Sequence, residues 1–104
     1  MSVKKVTATE LSGLISTSDT VLAKFFATWC GPCRQFAPVL EKFATEHPEI
    51  VCCELDVDDT DNTRLVAELE VSTVPTVIIF SNGKLTARTS GFLNMASLTK
   101  LLGQ

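Results

Sequence analysis

The chain has 104 residues, 45% of them apolar and 20% charged, which is length for one domain and enough apolar side chains for one modest core. Its net charge is −3, and its nine Lys and Arg residues are scattered singly apart from Lys4-Lys5, so there is no basic stripe and no nucleic acid is expected as a partner. No apolar run approaches bilayer length and the polar opening Met1-Ser2-Val3-Lys4-Lys5 lacks the apolar centre of a secretory signal, so a cytoplasmic protein without a membrane span is expected.

Thr7 and Glu10 have the spacing of a capping box, with Leu11, Leu14 and Ile15 behind it at helical intervals, predicting a short first helix that ends near Ser16. Residues 21–27 are almost unbroken in apolar character, the pattern of a strand covered on both faces, and Lys24 is their one anomaly. From Pro32, suited to a first helical turn, Phe36, Val39, Leu40 and Phe43 recur on one face until His47-Pro48. That predicts a helix of about four turns. Pro38 inside it should remove the bond to the Arg34 carbonyl and bend the axis. His47 is expected to be a solvated residue at the helix end, where the dipole favours it.

Residues 50–57 read as a second buried strand, and Leu65, Val66 and Leu69 mark a third helix that begins in the Asp-rich segment before them. Pro75 opens Thr76-Val77-Ile78-Ile79-Phe80, and Asn82-Gly83 is a hairpin turn leading into residues 84–89, so these last two strands are antiparallel neighbours. Asn94 caps a closing helix with Met95, Leu98, Leu101 and Leu102 on one face and Gly103 as its stop. This order predicts an α/β domain over residues 1–104, a mixed sheet with helices on both faces.

Four cysteines in a reducing compartment direct attention to chemistry, since structural disulfides are rare there. Cys30-Gly31-Pro32-Cys33 lies between the end of a buried strand and the start of a helix. Unpaired backbone N–H groups and the positive end of the helix dipole converge at that point, and both favour a thiolate. Two intervening residues also bring the sulfurs within bridging distance. Redox chemistry is therefore expected of this pair ahead of a packing role.

Trp29-Cys30-Gly31-Pro32-Cys33 matches at every position the active-site motif of the thioredoxin family, and the chain resembles that family over essentially its whole length. Val74-Pro75-Thr76 is similar to the family's cis-proline loop, Asn82-Gly83 to its hairpin, and Gly91 to the glycine beside its substrate groove. The resemblance implies a thioredoxin fold, with a central five-stranded mixed sheet and four helices, and a dithiol that reduces protein disulfides. Cys30 is then the attacking thiolate, and Cys33 resolves the mixed disulfide. Val74, Pro75, Thr76 and Gly91 form the expected substrate surface; a cis bond before Pro75 would expose the Val74 backbone to an extended substrate. Trp29 is expected to be partly exposed beside them.

One departure from the family stands out. Where thioredoxins usually carry a buried aspartate, six residues before the first cysteine, this chain has Lys24, and Glu54 occupies the place where the family often has a lysine. The pair is reversed in sign. A lone buried charge is unfavourable, so Lys24 and Glu54 are expected to meet below Cys33, and Glu54 to take the proton-relay role.

No metal is expected. A calcium loop counted from Asp56 would need glycine where Asp61 stands and glutamate where Ala67 stands, so a solvated acidic helix start is the expectation. Cys52-Cys53 offers no second pair with zinc spacing, and adjacent strand residues point to opposite faces, which suits two inert buried side chains. The expected activity is that of a monomeric protein-disulfide reductase with no bound cofactor. As the resemblance implies, a thioredoxin reductase using NADPH would recharge it, and peroxiredoxins or ribonucleotide reductase are among its expected substrates. The alternatives are a binding or scaffold subunit with incidental cysteines, and an oxidase or isomerase. The Gly-Pro between the cysteines and the lack of a signal favour the reductase.

Overall fold

Where a side chain can satisfy the free N–H groups of a first turn, a helix begins. The computed structural model describes residues 2–103. A short strand, β1 (Val3–Lys5), leads to α1 (Ala8–Thr17), which Thr7 and Glu10 open with the expected reciprocal capping box. The apolar run forms β2 (Thr20–Phe26), followed by α2 (Gly31–Glu46), β3 (Val51–Asp56), a 3₁₀ turn at Thr60–Asn62 and α3 (Thr63–Glu68). The hairpin comprises β4 (Thr76–Ser81) and β5 (Lys84–Ser90), with Asn82 and Gly83 both at positive φ in the turn. Asn94 caps the closing α4 (Met95–Leu101) by accepting from the Ser97 N–H at 2.8 Å.

The five strands form one mixed sheet in the order β1-β3-β2-β4-β5, with β1, β3 and β2 parallel and β4 and β5 antiparallel to their neighbours. Its two faces carry separate cores. On one, Leu22, Cys52, Val77 and Ile79 pack against Phe36, Leu40 and Phe43 of α2 and Leu98 of α4. On the other, Ala23, Phe25, Cys53, Leu55 and Ile78 pack against Leu11 of α1 and the partly buried Leu65, Val66 and Leu69 of α3 and its end. Both faces of β2 and β4 are covered, which is why those strands read as unbroken apolar runs. No helix among the described residues is long and apolar enough to cross a membrane.

Two local expectations change. β1 has no strand signal of its own: it is three residues long, and two of them are exposed lysines. It is a strand because Val3, Lys4 and Lys5 pair with Cys52, Cys53 and Glu54. His47 is not a freely solvated end residue. Its ring stacks on Phe43, centroids 4.3 Å apart at 28°, and it caps α2 through its own backbone N–H. The helix continues through Pro38 to Glu46.

The capping box offers a direct measurement. Thr7→Ala removes the acceptor for the Glu10 N–H while leaving the buried Leu11 untouched, so it should lower unfolding free energy by about 1 kcal/mol. A urea titration that shows no loss would mean that α1 is held by its apolar face alone.

Candidate active site

Parallel strands end at one edge of the sheet, and at that edge β2 hands over to α2. Cys30 is the N-cap of α2. Its sulfur accepts a hydrogen bond from the Cys33 N–H at 3.1 Å, and it is joined to Cys33 by a disulfide with the Cα atoms 5.2 Å apart. Once the disulfide is reduced, that same N–H and the start of a sixteen-residue helix stabilise negative charge on the Cys30 sulfur. Both cysteines are nearly enclosed, each showing only 4% of its surface, in a small cluster with Ala27 and the partly buried Phe26, Val57 and Val74. Cys30 therefore differs from Cys33 by its place at the helix cap and not by exposure.

The loop before β4 closes over the pair. The Val74–Pro75 bond is cis, and the Val74 carbonyl oxygen lies 3.6 Å from Cys30 Sγ, within reach of a thiol once the pair is reduced. Several groups brace this loop. The Gly91 N–H donates to the Pro75 carbonyl at 2.8 Å, and Arg88 donates to the carbonyls of Leu69 and Glu70 at the end of α3. Thr76, grouped by sequence with the substrate surface, is only 1% exposed; its hydroxyl donates to the Thr73 carbonyl at 2.6 Å and supports the loop from below. Gly91 sits at φ +92°, a conformation that favours glycine.

Trp29 stands clear of the surface at 68% exposure, and its indole N–H donates to Asp58 Oδ2 at 2.8 Å. Sequence reasoning placed Asp58 in a merely solvated acidic stretch and missed this contact. The signal was present only as a carboxylate shortly after a buried strand. The neighbouring acids are engaged locally: Asp56 accepts from the Asp58 N–H and Asp59 from the Asp61 N–H, each at 2.9 Å. Among the described residues no group of three or more His, Cys, Asp or Glu side chains is placed to hold a metal ion.

Beneath the cysteines, Lys24 and Glu54 are direct partners in the β2–β3 register. Lys24 Nζ lies 3.0 Å from Glu54 Oε1, and the two side chains are 4% and 27% exposed. The ammonium also sits 5.5 Å and 5.8 Å from the ring centroids of Phe26 and Phe36, an aromatic setting that suits a cation. A cleft of about 260 Å³ is lined by Lys24, Glu54, Cys33, Phe26 and Arg34, so the ion pair and the second cysteine share one space.

Cys52 and Cys53 are buried on opposite faces of β3, and burial pushes each thiol up to about 12. At neutral pH both are protonated and unreactive. In the reduced protein iodoacetamide at pH 7 should label Cys30 first and leave Cys52 and Cys53 untouched until the chain unfolds, as peptide mass mapping would show. Early labelling of either would mean that β3 opens locally.

The chain's likeness to known proteins follows this geometry. A family model described as Thioredoxin matches residues 2–104. The chain is 40% identical to thioredoxin-1 of Saccharomyces cerevisiae over 85 residues, 82% of this chain and 81% of that protein. It is 36% identical to a thioredoxin of Chlamydia pneumoniae over 100 residues, 96% of each. Its fold superimposes with a TM-score of 0.87 on the oxidized form of mitochondrial thioredoxin 3 from Saccharomyces cerevisiae, at 31% identity, covering 99% of this chain and 96% of that one.

Proposed function

The chain belongs to the thioredoxin family, and from that premise we propose a residue-by-residue account of how it works. As a disulfide oxidoreductase it carries out dithiol–disulfide exchange through its redox-active pair. In our reading the reduced Cys30 thiolate attacks one sulfur of a substrate disulfide, that S–S bond breaks, and the first substrate thiolate leaves and takes up a proton. Cys33 then loses its proton and attacks Cys30 Sγ, which closes the intramolecular disulfide and releases the second substrate thiolate. The substrate gains two electrons and the dithiol loses two. The observation that carries this reading is the Cys30–Cys33 disulfide at the N-cap of α2, with the Cys33 N–H on the Cys30 sulfur.

Supporting roles follow from position. Val74, the Pro75 loop and Gly91 offer backbone to an extended substrate, and Trp29, Gly31 and Pro32 frame the pair. Affinity from main-chain pairing makes few sequence demands, which suits varied disulfide proteins. Glu54, in the cleft that reaches Cys33 and 3.0 Å from Lys24, takes the proton that Cys33 gives up, directly or through water. Glu54→Gln should therefore change the pH dependence of disulfide reduction, and an unchanged profile would remove the relay while leaving the ion pair in place.

The whole chain, residues 1–104, acts as one monomeric domain that holds no cofactor of its own. An NADPH-dependent thioredoxin reductase recharges it in the cytoplasm, where thiols are kept reduced. Peroxiredoxins and ribonucleotide reductase are substrates of the right class. Insulin reduction coupled to NADPH consumption, with and without a thioredoxin reductase, tests activity and recharging together. Turnover only with the reductase is expected; no insulin reduction even by the chemically reduced protein would leave a scaffold role.

A further inference from the structure

At the active-site edge of the sheet, beyond the turn that follows β1, the strand order fixes the sequence of the four segments nearest the disulfide. The turn after β3 carries Asp58, the turn after β2 carries Trp29 and Cys30, the loop before β4 carries Val74 and Pro75, and the segment after β5 carries Gly91 and Phe92. Asp58, which holds the Trp29 indole, and Phe92 thus come from segments on opposite sides of the Cys30–Val74 contact. Three large apolar residues are exposed among those described, and two of them are Trp29 and Phe92, at 68% and 51%; the third, Leu85, lies in β5 just after the Asn82-Gly83 turn, at the other end of the sheet.

Both aromatic side chains are held in place while exposed. Trp29 is tied to Asp58, and the Phe92 ring meets the Phe36 ring edge-on, with centroids 6.2 Å apart at 74°. Phe36 lies one turn beyond Cys33 in α2, and the Gly91 N–H bond to the Pro75 carbonyl fastens the backbone beside Phe92. Sequence reasoning did not single Phe92 out, because an apolar residue just before a helix cap looks like core. A preorganised exposed aromatic is a good binding contact, since little side-chain freedom remains to be lost.

We propose that Phe92 is a specificity-determining residue, selecting disulfide substrates that carry an aromatic or other large apolar side chain beside the attacked cysteine. The inference rests on exchange at Cys30, because attack there forces the substrate segment to lie across this edge. A substrate with a small or acidic neighbour reacts by the same steps but leaves the Phe92 face in water.

The test uses the intact protein, reduced with dithiothreitol and then freed of it. Its substrates are cyclic disulfide peptides identical except for Phe, Ser or Asp flanking one cysteine. Single-turnover rates followed by mass spectrometry should favour the Phe peptides by about ten-fold, at the lower end of what an apolar contact achieves. Phe92→Ala should bring that ratio close to one, Phe92→Leu should keep most of it, and the remote Leu85→Ala should leave it unchanged. Equal rates for all peptides with the unaltered protein would overturn the inference without touching exchange. Failure to reduce any peptide would overturn exchange and the inference together. Should Phe92→Ala unfold, Phe92→Lys takes its place: it should likewise bring the ratio close to one, and a ratio kept near ten-fold in either variant would overturn the inference.

Discussion

Cys30→Ser is expected to abolish disulfide reduction, whereas Cys33→Ser is expected to complete the first exchange and stop there. The two cysteines are three residues apart and equally enclosed, each 4% exposed, so the difference between the variants lies in chemistry and not in access. With serine at the helix cap there is no thiolate at the position where the Cys33 N–H and the dipole stabilise one. With serine at 33 the attack proceeds, but nothing displaces the reduced substrate from Cys30, so a covalent adduct accumulates. Intact mass should show the chain plus one substrate equivalent, lost on adding dithiothreitol. Turnover by Cys30→Ser, or an adduct formed by that variant and not by Cys33→Ser, would reverse the two roles.

The second large effect concerns stability, and it should be asymmetric. Glu54→Ala leaves a 4%-exposed ammonium without its carboxylate. Removing one partner of a buried pair typically costs 3–5 kcal/mol, and the 27% exposure of Glu54 argues for the lower end, about 3 kcal/mol. For a domain of this size that corresponds to a fall in Tm of roughly 15 °C. Lys24→Met keeps the volume and removes the buried charge, while the partly exposed Glu54 turns toward water, so the loss should be about 1 kcal/mol or less. The double variant Lys24→Met with Glu54→Ala should lie close to Lys24→Met alone, because with the ammonium gone the lost carboxylate leaves no buried charge unpaired. Denaturant titrations of the four proteins form a double-mutant cycle. Additive losses would show that the two charges are solvated independently.

The reversed pair also illustrates how far this sequence can be read. Counting from the cysteine motif located Lys24 and Glu54, but their meeting depends on the parallel β2–β3 register that sets Lys24 opposite Glu54, thirty positions on. A slip of one residue would send either side chain to the other face of the sheet.

What this sequence determined by itself are the features written into a few neighbouring residues: the capping box at Thr7, the apolar runs of β2 and β4, the Asn82-Gly83 turn, and a dithiol at the mouth of a helix. Propensity, capping and periodicity are local, so a short window carries them. Tertiary structure decided the rest. It made a strand of Val3–Lys5 by pairing it with β3, stacked His47 on Phe43, tied Trp29 to Asp58, and set the Val74 carbonyl 3.6 Å from Cys30 across forty-four positions of chain. It also left Phe92 standing exposed beside the site. Each of these depends on which strands become neighbours, and that order is set by burying the two faces of the sheet together, a condition that only the whole chain can satisfy.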